Sequence, residues 1–288
     1  MTRELVWRPG PPTTAGAGGG GQPAPSVGPW PPLLVAEDLL ERGVVAAFSA
    51  RAGARGTPPY DGLNLSLHVG DDPRAVLRGR RRVATVLGLA GLPWATARQV
   101  HSARVIEAGR DKLGAGPPEA RPLLAEADGL VGGDAGMVLA VFAADCLPLL
   151  LADPDARVVA AVHAGWRGLA AGVIERGVAA FTRRGGRPGG AIALVGPAIG
   201  ACCYEVGPEV ADAVVGRYPT AAATTRDGRL AIDTTAAAVE ALERAGLGEV
   251  RAARECTCHQ PERFFSYRRD GVTGRQAGLI ALLDGAPR

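Results

Sequence analysis

The sequence predicts a mixed α/β fold in which strands and helices pack as layers. Short apolar runs of strand length alternate with Ala-rich segments of helical periodicity. The alternation is irregular and includes an apparent strand hairpin, which differs from a repeating strand–helix–strand series. In addition, 288 residues with 47% apolar composition are enough to build a sizeable buried core.

The individual elements can be assigned in chain order. Apolar runs of strand length are found at Val44–Phe48, Val138–Ala143, Leu147–Ala152, Val158–Val162 and Ile192–Val195. Helical patterns with suitable first-turn or terminating residues cover Asp72–Leu87, Leu169–Thr182, Glu209–Tyr218 and Thr234–Ala245. Near the C-terminus, the Asp270-Gly271 turn predicts a hairpin between Phe264–Arg269 and Arg275–Leu283.

The chain divides into an extension and one domain. Residues 1–32 are dominated by Gly, Pro, Ala and Thr, with a run of four glycines at 18–21, and offer little apolar surface to bury. We expect this extension to be disordered. Residues 33–288 contain no convincing linker and are predicted to form a single catalytic domain.

Composition and charge narrow the classes of function. The net charge of +3 is small and the basic residues are dispersed, so we expect no nucleic-acid partner. The longest apolar stretches end well short of the ~20 residues that cross a bilayer, so no membrane partner is expected. Five Cys, an odd number, and the lack of a signal-peptide pattern predict reduced thiols and a cytoplasmic location.

Three polar residues at the ends of apolar runs are the main candidates for a functional site. They are His101, Cys146 and His163, in a chain that has only four His. Asp153-Pro154-Asp155-Ala156 is a turn signal between the runs that carry Cys146 and His163.

If this turn closes a hairpin, Ala152 faces Arg157 and Cys146 lies directly opposite His163. Opposed residues share one face, with Cβ atoms about 4.5–5.5 Å apart. Pro148 could interrupt the pairing with a bulge, because proline in a paired strand often marks an irregularity.

Two His and one Cys allow two chemistries. As a three-ligand set they suit zinc, which then keeps a fourth position open for water or substrate. Alternatively, Cys146 is a nucleophile and His163 its base, without a metal. Asp145 could orient that imidazole, but neighbouring strand residues point to opposite faces. A third interpretation is that Cys146 is a buried small hydrophobic residue and both His are satisfied strand-end residues.

The remaining Cys and His residues have simpler interpretations. Cys256-Thr257-Cys258-His259 could contribute to a second metal site, but no matching Cys/His pair is evident elsewhere in the sequence. We therefore expect ordinary strand positions there. Adjacent Cys202 and Cys203 are expected to be packing residues.

Arginines next to predicted turns are candidates for binding anions. Arg167 lies in Gly165-Trp166-Arg167-Gly168, where a helix start would offer backbone N–H groups, although a plain strand-to-helix turn is an equal alternative. Arg51 and Arg268 are further candidates for phosphate or sugar contacts, although single arginines are more often solvated surface residues.

Several motifs in order resemble one family. They are Ala-Asp-Cys-Leu-Pro-Leu-Leu-Leu-Ala-Asp-Pro (144–154), Val-His-Ala-Gly-Trp-Arg-Gly (162–168), Gly-Pro-Ala-Ile-Gly (196–200), Cys-Cys-Tyr-Glu-Val-Gly (202–207) and Phe-Phe-Ser-Tyr-Arg-Arg-Asp-Gly-Val-Thr-Gly-Arg (264–275). The segments 63–73, which contains Asn64, and 99–101 fit as well. Together they resemble the YfiH family, once called the laccase-domain or polyphenol oxidoreductase family, from about Val44 to Leu283.

The resemblance implies a zinc-dependent purine nucleoside phosphorylase. Its implied activities are phosphorolysis of adenosine, inosine, guanosine and methylthioadenosine, together with deamination of adenosine. The implied metal ligands and catalytic residues are His101, Cys146 and His163, and Arg51, Asn64, Arg167 and Arg268 are candidates for binding nucleoside and phosphate. The implied fold is a layered sandwich of mixed β-sheets flanked by helices, related to cysteine hydrolases of the cytotoxic-necrotizing-factor type. The loop that begins at Arg51 departs from the family pattern.

Three other functions compete with this one. A multicopper oxidase would need clusters built largely of imidazole, which four His cannot supply, although copper at a single site could still oxidise phenols weakly. A cysteine hydrolase or amidase that edits cell-wall precursors would use the same Cys146 without a metal. A nucleotide-sensing module would bind ligand in the same pocket without turnover. Oligomeric state is not predicted.

Overall fold

The computed structural model describes residues 6–8, 32–52 and 56–284. The strands are β1 (Val6–Arg8), β2 (Leu33–Val35), β3 (Val44–Ser49), β4 (Trp94–Ala95), β5 (Val105–Glu107), β6 (Gly129–Gly132), β7 (Val138–Ala143), β8 (Leu147–Asp153), β9 (Val158–Ala164), β10 (Ile192–Val195), β11 (Ala222–Thr224), β12 (Leu230–Ile232), β13 (Glu249–Ala252) and β14 (Gln276–Leu282). The α-helices are α1 (Glu37–Glu41), α2 (Pro73–Val86), α3 (Trp166–Ala170), α4 (Val173–Arg183), α5 (Pro208–Val215), α6 (Thr234–Arg244) and α7 (Tyr267–Asp270). The five strands expected between residues 44 and 195 are therefore confirmed.

The strands form two six-stranded mixed sheets and a short hairpin. The first sheet has the order β1-β2-β3-β14-β7-β4, and the second has the order β13-β10-β8-β9-β6-β5. Most neighbours are antiparallel, whereas β4–β7, β5–β6 and β10–β13 are parallel. Strands β11 and β12 pair with each other.

The two sheets pack face to face, and helices cover their outer faces. Side chains of both sheets, such as Phe48 and Leu150, share one apolar core. Helix α2 covers the outer face of the first sheet through Val83, while α4 and α6 cover the second sheet. Strands buried on both sides read as continuous apolar runs, which explains why β7, β8 and β9 could be assigned from the sequence. The predicted layered sandwich of mixed sheets flanked by helices is confirmed.

The predicted helix Leu169–Thr182 is wrong as a single helix. The chain instead forms α3 and α4, and Gly172 separates them with a left-handed φ of 78°. A Cβ at this position would also lie 2.5 Å from Arg217 Nη2. Glycine ends α3 because its backbone adopts this conformation without steric cost.

The predicted C-terminal hairpin is also wrong. Phe264 and Phe265 are buried outside any strand, and the side chain of Ser266 accepts the N–H of Arg269 to begin the short helix α7. Strand β14 pairs instead with β3 and β7 in the middle of the first sheet. Two long-range partners therefore outweigh the local turn signal of Asp270-Gly271.

Two further observations concern the N-terminal extension and the length of the helices. Within the extension at 1–32, Val6–Arg8 form an edge strand against β2, while residues 1–5 and 9–31 lie outside the described residues. The described helices are all too short or too polar to cross a membrane.

Candidate functional site

The hairpin of β8 and β9 brings Cys146 and His163 to one end of the second sheet. The structure pairs Pro148 with His163, and Asp153 with Val158, so the predicted register is wrong by two residues. The turn occupies 154–157, with Arg157 at a positive φ of 54°, because the Asp153 side chain accepts the N–H of Ala156 and keeps Asp153 in the strand. A shift of the strand pairing by two residues leaves each side chain on the same face of the sheet. Cys146 therefore lies on the same face as His163, as its diagonal neighbour rather than directly opposite it. Pairing is continuous through Pro148, without the bulge considered above.

A buried carboxylate, Asp128, organises the segment that carries His101. Asp128 is 1% exposed, and its oxygens accept the backbone N–H groups of Val100, His101 and Ser102 at 3.2, 3.0 and 2.6 Å. The Ser102 hydroxyl donates to it as well, at 2.8 Å. These bonds wrap the loop around one carboxylate and hold His101 at a left-handed φ of 59°.

Asp128 also orients His163. Asp128 immediately precedes β6, and His163 donates its backbone N–H to the Asp128 carbonyl at 2.7 Å. The side chains therefore lie on the same face, with His163 Nδ1 2.9 Å from Asp128 Oδ1. Burial raises the pKa of Asp128, but hydrogen bonds from His163 and Ser102 outweigh it and bring the pKa to about 2. An ionised carboxylate keeps the proton on Nδ1 and leaves Nε2 as the free donor atom.

Cys146 is presented by a turn that Asp145 holds. Asp145 adopts a φ of 84°, and its carboxylate accepts the Thr257 hydroxyl and the Arg268 backbone N–H, both at 2.6 Å. Asp145 thus anchors its own turn. Asp128, from another strand, is the carboxylate that orients His163, in agreement with the strand-geometry argument against Asp145.

The three predicted ligands come together. Cys146 Sγ lies 3.7 Å from His101 Nε2, and the two imidazole rings are 5.1 Å apart in an edge-to-face arrangement. One donor atom from each of the three residues lies within 4.8 Å of the others. Tetrahedral zinc with bonds of about 2.0–2.3 Å would hold such donors about 3.3–3.8 Å apart. The chemistry of this donor set therefore fits a metal ion.

Gly165 leaves space next to this centre. A Cβ at Gly165 would lie 2.7 Å from His101 Cδ2 and 3.0 Å from Cys146 Sγ. Only a residue without a side chain allows the backbone at the start of α3 to approach both ligands so closely. On the other side His101 is exposed, while His163 is 4% exposed, so the centre opens to solvent through His101.

The electrostatics of the site favour a thiolate. Burial raises the pKa of Cys146, but the positive charge of His163 and the contact with His101 bring it to about 6. Burial lowers the pKa of His163, but Cys146 and Asp128 raise it to about 9. Without a metal, the neutral-pH pair is thus a thiolate with an imidazolium, and metal binding would displace the imidazolium proton.

Two of the predicted substrate-binding residues have internal partners. Arg51 forms an ion pair with Asp61 at 2.7 Å and stacks on the Phe265 ring at 5.0 Å. Asn64 is 3% exposed, donates to Asp71 and accepts the backbone N–H of Arg275. Both side chains therefore support the loops in which they lie.

The other two predicted residues lie on segments that help to form the centre: Arg167 follows Gly165, and the Arg268 N–H donates to Asp145. Arg167 is exposed on α3, two residues after Gly165, with its guanidinium 4.4 Å from the Trp166 ring. The Arg268 guanidinium lies 5.0 Å from the ring of Tyr204 and donates to the Glu205 carbonyl at 2.8 Å.

Sequence reasoning did not find Asp128, Tyr204 or Arg275. Burial is the main reason that the pKa of Tyr204 is raised to about 12, and the nearby negative charge of Cys146 adds to this rise. Arg268 opposes it. Burial lowers the pKa of Arg275, and the negative charges of Cys146 and Asp145 oppose that shift. Asp128 carries no local motif, because its partner His163 is 35 residues away in sequence.

Comparison with known proteins identifies relatives over most of the chain. Residues 45–283 match the family described as multi-copper polyphenol oxidoreductase laccase. The purine nucleoside phosphorylase YfiH of Shigella flexneri is 39% identical over 254 residues, which cover 87% of this chain and 99% of that protein. A purine nucleoside phosphorylase of Deinococcus radiodurans is 40% identical over 256 residues, which cover 87% of this chain and 93% of that protein.

Solved structures show the same fold. YfiH of Bacillus licheniformis superposes with a TM-score of 0.78 at 32% identity, covering 87% of this chain and 96% of that chain. Protein NMB0706 of Neisseria meningitidis superposes with a TM-score of 0.73 at 39% identity, covering 84% and 95%. The chain therefore belongs to the YfiH family, the family also described as multi-copper polyphenol oxidoreductase laccase.

Proposed function

We propose that this protein is a purine nucleoside phosphorylase whose metal centre is formed by His101, Cys146 and His163. The observation that carries the proposal is the convergence of the three side chains, with Cys146 Sγ 3.7 Å from His101 Nε2. Relatives named purine nucleoside phosphorylase, 37–40% identical over more than four fifths of the chain, support the reaction class. We propose zinc, because Cys thiolate and His nitrogen are its usual ligands and three protein ligands leave a fourth position open; copper is the alternative, since it also binds two His and one Cys.

The reaction places clear demands on the protein. A phosphate oxygen forms a bond to C1′ of the ribose, the bond between C1′ and N9 of the purine breaks, and the purine leaves with a proton. Zinc, when bound, supplies Lewis-acid stabilisation of negative charge at the centre. The protein itself must hold the ligands rigidly, bind the phosphate and orient the nucleoside.

The described residues can meet the first two demands. The ionised Asp128 carboxylate fixes both the His101 loop and the His163 ring, which preorganises two of three ligands. Arg167 and Arg268 add positive charge near Tyr204 and Cys146, as their effects on the pKa of Tyr204 indicate. We propose that these two arginines bind phosphate, with Arg51 and Asn64 supporting the loops around them.

We include adenosine, inosine, guanosine and methylthioadenosine as substrates, and adenosine deamination as a second reaction at the same centre. Zinc deaminases use a Glu as general acid/base beside the metal. Here the carboxylate nearest the ligands, Asp128, is engaged by His163 and three backbone N–H groups. Phosphorolysis is therefore the principal proposed activity. The five Cys are free thiols, and a cytoplasmic location is part of the proposal.

The test combines metal analysis with turnover. Purified wild type is expected to bind zinc at this centre and to release hypoxanthine from inosine only when phosphate is present. Cys146→Ala should lose that zinc and reduce turnover by at least about 10³-fold, because the metal and its thiolate contribute several kcal/mol. Cys258→Ala removes a thiol elsewhere and serves as the matched control, with turnover expected within about twofold of wild type.

Other outcomes would select the rival functions. Full activity after complete metal removal would contradict the zinc proposal and move Cys146 to the role of nucleophile, as in a cysteine hydrolase or amidase. Phenol oxidation that requires added copper would favour the oxidase. Tight nucleoside binding without turnover of nucleosides, phenols or cell-wall precursors would favour a sensing module.

A further inference from the structure

A second group of metal-binding side chains lies outside this centre. Cys202, Cys203, Cys256 and His259 each offer one donor atom, and these four atoms lie within 4.8 Å of one another. The expectation that Cys256 and His259 lack a matching pair is therefore wrong. Cys202 and Cys203, which the sequence suggested were packing residues, supply that pair.

Backbone pairing brings the two segments together. Ala198 and Cys256 form a parallel bridge, and the Thr257 N–H donates to the Ala198 carbonyl at 3.0 Å. Residues Ala201–Cys203 then form a 3₁₀ turn, which directs both thiols towards the 256–259 segment. The segments are more than 50 residues apart in sequence, as the bond between Gly200 and Cys256 illustrates.

The geometry suits a tetrahedral ion. Cys202 Sγ lies 3.4 Å from His259 Nδ1. Zinc with Zn–S bonds of about 2.3 Å and a Zn–N bond of about 2.0 Å holds its donors about 3.5–3.8 Å apart. A contraction of about 1 Å or less brings the widest pair of these four donors into that range.

The surroundings also suit bound thiolates. The Gly200 N–H donates to Cys256 Sγ at 3.2 Å, a bond that stabilises sulfur as an anion. A Cβ at Gly200 would lie 3.2 Å from Cys202 Sγ and 3.3 Å from Cys256 Cβ, so glycine allows the close approach.

We propose that Cys202, Cys203, Cys256 and His259 form a second metal site, which binds zinc through three thiolates and one imidazole. Four protein ligands complete a tetrahedral shell, which is the mark of a structural site, whereas three leave a position for chemistry. A cleft of about 440 Å³, lined in part by Cys202, Cys256, Glu240 and Glu255, gives a metal ion access from solvent.

The site would stabilise the turn that presents Cys146. Thr257 follows the ligand Cys256 directly, and its hydroxyl donates to Asp145, the residue before Cys146. Metal binding at the second site would hold the 256–259 segment and, through this bond, the left-handed turn at Asp145. The Thr257 hydroxyl thus connects the two centres through buried side chains, and the N–H of Ile199, which donates to the Asp145 carbonyl at 2.9 Å, is a further contact between them.

Metal stoichiometry of the full-length protein tests the proposal. We expect two zinc ions per chain in wild type, one in Cys146→Ala, one in Cys256→Ser and none in the double variant. Cys258→Ser, which removes the neighbouring thiol outside the ligand set, should retain two. Loss of metal from Cys256→Ser alone separates this site from the first, because Cys256→Ser keeps His101, Cys146 and His163.

A second readout remains valid if Cys256→Ser does not fold. In Cys146→Ala, cobalt substitution should give the visible bands and sulfur-to-metal charge transfer of tetrahedral thiolate coordination, and His259→Ala should alter them. In the same background, Cys202, Cys203 and Cys256 should resist alkylation until a chelator is added, as measured by mass spectrometry. Zinc stoichiometry unchanged by Cys256→Ser and His259→Ala, or a disulfide within the cluster of protein purified without oxidant, would overturn the proposal.

Discussion

The two Cys/His clusters differ in ligand number and in how each is held. The first cluster (His101, Cys146 and His163) combines a loop with the neighbouring ends of β8 and β9, depends on the charged Asp128 and opens to solvent at His101. The second cluster (Cys202, Cys203, Cys256 and His259) lies on a 3₁₀ turn and a loop, and a backbone N–H contacts one of its sulfurs. Three ligands around a rigid carboxylate suit reaction chemistry, whereas four ligands suit structural support.

Among substitutions outside the metal-binding side chains, the largest expected effect comes from removing the charge that organises only the first cluster. Asp128→Asn would leave His163 without its carboxylate and permit the wrong ring tautomer. We expect the metal affinity of the first cluster or kcat/KM to fall about 10–100-fold, as is usual for residues that orient metal ligands. Competition with a chromophoric chelator and phosphate-dependent nucleoside cleavage measure the two quantities.

Ser102→Ala is the matched control for Asp128→Asn. It removes one of the hydrogen bonds to Asp128 and leaves the contact with His163. The loss of metal affinity or of kcat/KM in Ser102→Ala should be several times smaller than in Asp128→Asn. Equal effects of the two substitutions would contradict the role assigned to the carboxylate charge.

A smaller effect is expected when the open space beside the first cluster is filled. Gly165→Ala would place a Cβ 2.7 Å from His101 Cδ2, which must push the two ligands apart. We expect about a tenfold loss of metal affinity, equivalent to about 1.4 kcal/mol. Gly189→Ala is the control, because its Cβ would meet no atom within 4 Å. Unchanged affinity in Gly165→Ala would show that the site tolerates expansion.

The connection between the clusters can be broken at Thr257. Thr257→Val keeps the shape of the side chain but leaves Asp145 without its 2.6 Å hydroxyl donor. We expect the free energy of unfolding to fall by about 1–3 kcal/mol, the usual cost of an unsatisfied buried acceptor. Urea denaturation measures it, and the exposed Thr85→Val is the control. If the second cluster acts through Thr257, metal binding there will no longer affect the reactivity of Cys146 in this variant.

The smallest effect concerns the turn that sets the β8–β9 register. Burial raises the pKa of Asp153, but the hydrogen bonds from Arg187 outweigh it and bring the pKa to about 2. Because the folded pKa is lowered, the bond stabilises the protein above about pH 4, and this contribution is lost as the pH falls towards about 2. Arg187 is 59% exposed, so solvent screens the pair and we expect a small contribution to stability.

Denaturation of wild type and Asp153→Asn at several pH values tests this linkage. The difference in unfolding free energy between them should be largest near pH 7 and should shrink between about pH 4 and pH 2. Arg187→Gln should behave like Asp153→Asn. A difference that stays constant with pH would contradict the lowered pKa of Asp153.

Much of the fold could be predicted because its signals are local. Strands buried on both faces, such as β7 and β8, appear as uninterrupted apolar runs, and the helical pattern predicted from Asp72 is present as α2. The hairpin register was wrong because Asp153 bonds Ala156 and Arg187, and only one of these residues is local. The C-terminal hairpin was wrong for the same reason: its second strand is present as β14, but the partners of that strand, β3 and β7, are distant in sequence.

The candidate site shows the same division. His101, Cys146 and His163 could be proposed because each interrupts or ends an apolar run in a chain with few His. Asp128 could not, because an Asp before a strand is ordinary until the fold places it opposite His163. Likewise, nothing local in Cys202-Cys203 indicates that a loop more than 50 residues later will meet it.

The layered α/β class, the main strands of both sheets and the three residues of the first cluster could be predicted from the sequence. Apolar periodicity and the small number of His residues can be read directly from the chain, whatever tertiary structure it adopts. The register at Pro148, the role of Asp128 and the assembly of the second cluster are visible only in the tertiary structure. These three features depend on which distant segments pair, and burial and hydrogen bonding over the whole molecule determine that pairing.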